Sequence, residues 1–143
     1  MGVIMKIKDI MSRDISCVSS EDSIAQAAKL MKEHNVGSVP VCNNKKLVGI
    51  ITDRDIILRS VAEGQNSNQN NVSDIMSSNL VVGNPEMNAD DAAKLMSSKK
   101  VRRLPIVDNN NLVGIVALGD ISLEPALQDN AEEALKNISQ PGN

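Results

Sequence analysis

The second half of this chain repeats the first at a fixed offset of 65 residues. Asp9-Ile10-Met11-Ser12 returns as Asp74-Ile75-Met76-Ser77, and Ala27-Ala28-Lys29-Leu30-Met31 as Ala92-Ala93-Lys94-Leu95-Met96. Pro40 falls on Pro105, Leu47-Val48-Gly49-Ile50 on Leu112-Val113-Gly114-Ile115, and Asp55-Ile56 on Asp120-Ile121. The register holds from Asp9 to Ile121 without insertion or deletion. A fixed period implies that each copy is one supersecondary unit and that the copies pack together. Two similar units facing each other place equivalent clefts about a pseudo-two-fold axis, a geometry suited to ligand binding between the halves.

Each copy predicts the same succession of elements. In the first, Ile15-Ser16-Cys17-Val18 reads as a short strand. Ser23 and Gln26 then form a capping box, and Ile24, Ala27, Ala28 and Met31 define one apolar helix face. His34-Asn35, followed by Val36-Gly37, stops that helix at a left-handed residue. Ser38 to Cys42 and Leu47 to Ile51 are strand-like runs joined by Asn43-Asn44-Lys45-Lys46, a hairpin signal. Pro40 inside the first run calls for an edge or bulged position, because proline has no N–H to donate. Thr52 leads into a second helix over Asp53-Arg54-Asp55-Ile56-Ile57-Leu58. The second copy offers Leu80-Val81-Val82, a helix near Asn88 to Ser98, a hairpin from Arg103 to Val107 and Leu112 to Val116, and a turn into Asp120.

The expected fold is therefore α+β (α/β), two β-α-β-β-α motifs over residues 5–62 and 74–124. Residues 63–73, rich in Asn, Gln, Ser and Gly, read as a solvated linker. Residues 125–143 form a tail, weakly helical from Pro125 to Ile138 and broken at Pro141-Gly142.

Composition narrows the function. The 143 residues include no Phe, Tyr or Trp, so the core must be Val, Ile, Leu, Met and Ala. A net charge of -3 and the lack of stacking platforms argue against nucleic acid as a partner. No apolar run approaches a membrane span. The start, interrupted by Lys6 and Lys8, has no cleavage-site pattern, so a cytoplasmic protein without a signal peptide is expected. His34, the only histidine, reads as a surface or capping residue, and no nucleophile elbow, metalloprotease motif or phosphate-cradling loop appears. Two cysteines and one histidine fall short of a structural zinc set. Neither an enzyme nor a metal site is expected.

Two constellations carry binding chemistry. Thr52 and Asp55 sit at a helix start, where unpaired N–H groups and the positive dipole end suit an anionic group. The same Thr-x-x-Asp spacing is equally a capping arrangement. In the second copy Ala117 replaces the hydroxyl while Asp120 remains, so the two sites should be unequal. Arg102 and Arg103, where the first copy has Gly37 and Ser38, are planar permanent cations suited to phosphate or, alternatively, a charged strand edge. Strand alternation sends the two to opposite faces, which favours Arg103. Cys17 and Cys42 correspond to Val82 and Val107, which suggests small buried apolar positions. The two could also be neighbours forming a disulfide or redox-sensitive pair.

The order Asp-Ile-Met-Ser, helix, Gly37-Ser38-Val39-Pro40-Val41, then Leu47-Val48-Gly49-Ile50-Ile51-Thr52-Asp53-Arg54-Asp55, resembles the CBS domain, named for cystathionine beta-synthase. Val101-Arg102-Arg103-Leu104-Pro105-Ile106-Val107 and Gly114-Ile115-Val116-Ala117-Leu118-Gly119-Asp120 resemble it as well. The resemblance implies a tandem pair, or Bateman module, packed sheet against sheet and commonly dimerised. It implies a sensor of an adenosine-containing ligand: AMP, ADP or ATP first, S-adenosylmethionine or NAD after them. Carried onto this chain, Asp55 and Asp120 would accept from ribose hydroxyls, and Thr52, with Arg54 beside it, would assist at ribose or phosphate. Arg103, and less directly Arg102, would reach phosphate. Cys17, Val39, Pro40 and Val41, with Val82, Leu104, Pro105 and Ile106, would flank adenine. The expected protein is thus a stand-alone regulatory homodimer acting on a separate partner. The rival expectation is a ligand-independent dimeric interaction or stress/redox-responsive protein in which Asp55 and Asp120 only cap helices.

Overall fold

The computed structural model describes residues 5–122 and Ile138. The tail expectation therefore lies, apart from Ile138, outside the described residues. Two compact units divide the chain, and they do not follow chain order. The first unit is Ser16–Leu80; the second joins the segment up to Ile15 with the chain from Val81 onward.

In the first unit, helix α1 runs over Ile24–His34. Ser23 Oγ accepts from Gln26 N–H and Gln26 Oε1 accepts from Ser23 N–H, which closes the expected capping box. Its next free donors, Ile24 N–H and Ala25 N–H, are taken by the carbonyls of Asn70 and Ser67. Orphan N–H groups at a helix start need such partners. The 63–73 stretch is therefore more than a solvated linker. Its side chains are mostly exposed, but its backbone is bonded to α1, and Val72 at its end is fully buried. Asn35, at φ 53°, ends the helix in the left-handed region, and Val36 N–H closes back on Met31 O.

Strands β1 (Ser38–Asn43) and β2 (Lys46–Thr52) form an antiparallel hairpin. Asn44 and Lys45 both have positive φ, at 51° and 71°, the tight turn whose twist matches its strands. Pro40 is paired with Ile50, whose own N–H and C=O are both committed to Ser77. The missing proline N–H thus lies on the side away from β2, and a bulge follows between Val41 and Cys42. Helix α2 (Asp53–Ile56) continues as a wider π-helical turn over Ile57–Val61.

The second unit repeats this plan with α3 (Ala89–Lys99), β3 (Arg103–Asp108), β4 (Asn111–Ala117) and α4 (Leu118–Ser122). The strand expected before each first helix is not formed. A single parallel bridge stands in its place, Val18 with Val41 in one unit and Gly83 with Ile106 in the other. Each bridging residue is followed by a turn into the helix, which leaves no length for a ladder.

The repeated glycines explain why the units interleave along the chain. A Cβ on Gly49 would stand 2.6 Å from Met76 Sδ and 3.0 Å from Ser77 O. A Cβ on Gly114 would overlap Met11 Sδ and stand 3.1 Å from Ser12 O. Each Asp-Ile-Met-Ser motif therefore lies across the hairpin glycine of the other copy: Met76 on Gly49, and Met11 on Gly114. Ile75 and Val72 enter the first core with Ile24, Val39, Val41 and Ile51. Ile7 and Met11 enter the second with Met96, Leu104, Ile106 and Val116. Both cores are aliphatic, in an α+β arrangement of helices against antiparallel strands.

Candidate functional site

The end of β2 delivers Thr52 directly to the start of α2. Extended backbone at Thr52 aims its hydroxyl at the first turn, where Oγ1 accepts from Asp55 N–H at 3.0 Å. Asp55 Oδ2 returns the bond, accepting from Thr52 N–H at 3.0 Å. The capping arrangement is therefore made, and it occupies one carboxylate oxygen. Asp55 Oδ1 has, among the described residues, only a long ion pair to Arg59 Nε at 3.9 Å. Arg59 is 57% exposed and also donates to Ile75 O, so it competes weakly for that oxygen. The Asp55 side chain itself is only 15% exposed. A half-sequestered carboxylate with a spare oxygen, beside a hydroxyl whose proton is uncommitted to the cap, can accept from a pair of vicinal hydroxyls.

The second unit keeps half of this apparatus. Asp120 Oδ2 accepts from Ala117 N–H at 3.0 Å, the same bond without the hydroxyl. Strand register makes Arg103 the cross-strand partner of Ala117, where the first unit pairs Ser38 with Thr52. The hydroxyl lost from one side of the site is thus accompanied by an exposed guanidinium on the neighbouring strand. Arg102 is exposed as well, and its carbonyl accepts from Leu118 N–H, as Gly37 O accepts from Asp53 N–H. Arg54 is exposed on the first turn of α2.

The expected adenine-flanking residues divide. Val39, Val41, Leu104 and Ile106 are buried to within 1% exposure in the two cores, so their side chains are committed inward. Pro40 and Pro105 alternate with them and are also buried. Val82 is 36% exposed. Cys17 is exposed, contrary to the small buried position expected of it; the bridge at Val18 turns Val18 inward and its neighbour outward. Cys42 is buried, as expected, and both thiols are free.

Three features had no clear signal in the sequence. Arg59 approaches Asp55 from the π-helical turn, and only the helix spacing hinted at that pair. Asp53 closes on Gly37, where a Cβ would stand 3.0 Å from Asp53 Oδ2. An open depression of about 440 Å³, lined by Ser19, Ser20, Glu21, Cys42, Asn43 and Asn44, lies at the turn end of the first hairpin. That is the opposite end of β1 from the partner of Thr52. Among the described residues no group of three His, Cys, Asp or Glu side chains could hold a metal ion, and no helix is long and apolar enough to cross a membrane.

Known proteins share this arrangement. The CBS-domain family model matches residues 7–62 and 72–125. A CBS domain-containing protein of Bacillus subtilis, YhcV, is 50% identical over 133 residues, covering 93% of this chain and 94% of that protein. Among solved structures, the CBS domain pair of protein MJ0100 in complex with 5-methylthioadenosine and S-adenosyl-L-methionine is 32% identical with a TM-score of 0.71, covering 85% of this chain and 95% of that one. Hypoxic Response Protein I with two coordinated zinc ions is 29% identical with a TM-score of 0.77, covering 84% of this chain and 98% of that one. With both copies matched and the motifs seated on their glycines, the chain belongs to the CBS-domain family, as a pair of CBS motifs.

Proposed function

We propose that this protein is a non-enzymatic regulatory module that binds an adenosine-containing ligand, AMP, ADP or ATP ahead of S-adenosylmethionine or NAD, and passes the signal to a separate protein. The observation that carries the reading is the Asp55 carboxylate, which caps α2 with one oxygen and leaves the other with only a long ion pair to the exposed Arg59, a weak competitor for a ligand hydroxyl. The MJ0100 pair, which holds two adenosyl compounds, supports the ligand class. Arg103 beside the Asp120 helix start supports a phosphorylated ligand at the second unit. The mechanism is population shift, driven by the ligand's differential affinity for two arrangements of the protein. Homodimerisation is supported by Ile57, Leu58 and Val61, three large apolar residues of the π-helical turn that are 57%, 47% and 61% exposed.

Equilibrium dialysis of nucleotide-stripped protein, read in the adenine absorption band, tests this directly, because the chain has no Trp or Tyr to interfere. Asp55→Asn keeps a capping acceptor but removes the charge. It is expected to weaken binding by about 1.5–3 kcal/mol, roughly one to two decades, with little change in Tm. No binding by the wild type at millimolar ligand would favour the ligand-independent dimer, whereas binding with unchanged affinity in the variant would remove Asp55 from the site. Sedimentation of the same samples reads the dimer itself.

A further inference from the structure

Cys17 and Cys42 are brought together by the bridge that replaces the expected first strand. Val18 N–H donates to Pro40 O at 3.0 Å, and Cys42 N–H donates to Val18 O at 2.8 Å. These two bonds hold Val18 along β1, so Cys17, the residue before it, and Cys42, the residue after its partner Val41, flank one bridge, close enough for Cys17 to influence the Cys42 thiol. The two thiols differ in access: Cys17 is exposed, and Cys42 is buried. The depression at the hairpin turn is lined in part by Cys42, so solvent approaches that thiol from the turn side. The second copy has Val82 and Val107 at these positions, so the pair belongs to the first unit alone.

We propose that Cys17 and Cys42 form a reversible redox pair, in which Cys17 is oxidised first and Cys42 resolves it to an intramolecular disulfide. A peroxide is the oxidant. Cys17 sulfur attacks one peroxide oxygen, the O–O bond breaks, and a sulfenic acid forms with release of one water. Cys42 sulfur then displaces the hydroxyl from Cys17, the S–S bond forms, and a second water leaves. Two thiols are oxidised and one hydrogen peroxide is reduced to two waters. In the reduced protein the Cys42 thiol is pushed up to about 12, first by burial and then by the charge of Cys17 and the bond to it. The disulfide closes a loop that contains all of α1 and fixes a segment otherwise held by one bridge.

The test treats the fully reduced protein with hydrogen peroxide, followed by thiol titration, intact mass and peptide mapping. Wild-type protein is expected to lose both titratable thiols and two hydrogens of mass, to yield a Cys17–Cys42 linked peptide, and to recover fully with dithiothreitol. Cys42→Val, which installs the second copy's residue, is expected to stop at a Cys17 sulfenic acid that dimedone captures. Cys17→Ser is expected to retain its Cys42 thiol under the same exposure. A wild type that yields only chain-to-chain disulfides or a persistent sulfenic acid overturns the proposal. So does a Cys17→Ser variant that loses its thiol as fast as the wild type. The wild-type linked peptide is decisive even where a variant folds poorly.

Discussion

At Gly49 a hydrogen is the whole side chain because the sulfur of Met76 and the carbonyl of Ser77 occupy the space where a Cβ would stand. Gly49→Ala is expected to cost about 1–3 kcal/mol, since the carbonyl cannot swing away as the thioether can. Urea denaturation would measure it. Cys42 makes a second residue-scale prediction. Its folded thiol is pushed up to about 12, chiefly because burial disfavours the thiolate, from the 9.0 of an unfolded, solvated thiol. Between those values the folded state binds more protons than the unfolded one, so stability falls as pH rises. The slope from this group is at most about 1.4 kcal/mol per pH unit. Cys42→Val should flatten the stability profile across that alkaline window. The repeat pointed to both glycines, but only the atoms across from them supply the reason. Cys17 shows the opposite case: matching it to Val82 suggested burial, yet alternation about a one-residue bridge exposes it.

At the scale of elements, the local signals were strong wherever the chain solves its own problem. Ser23 and Gln26 box the start of α1, Asn35 stops it, and Asn44-Lys45 turns the hairpin, each through bonds to near neighbours. The expected first strand reduces to a bridge because β-branched residues also suit a single bridge, and a ladder needs a partner of matching length. The end of α3 carries a testable weakness. Lys100 adopts φ 57°, the left-handed region that Asn35 occupies in the first copy. Lys100→Gly should stabilise the second unit by about 0.5–1 kcal/mol, because glycine takes that conformation without a Cβ penalty. Thermal unfolding by far-ultraviolet dichroism would read a modest rise in Tm.

Over the whole molecule, the unit boundaries set the consequences of a mutation. Ile7 is fully buried, but in the core with Leu104, Ile106 and Val116 rather than with the hairpin that follows it in sequence. Ile7→Ala is expected to cost about 2–5 kcal/mol. Hydrogen exchange should then show protection lost in β3 and β4 while β1 and β2 are spared. The opposite pattern would mean that units follow chain order. By itself the sequence determined the repeat, the aliphatic core, the α+β class, the caps and turns, and the residues at each helix start. These depend on spacing and on neighbours within a few positions. Tertiary structure alone decided which motif completes which unit. A strict 65-residue period lets Asp-Ile-Met-Ser serve either copy, and the choice rests on burying Ile7 and Val72 and on satisfying both backbone groups of Ile50 and Ile115. It also decided that Asp55 shares its oxygens between a cap and Arg59, because that division depends on a side chain reaching in from the next helical turn.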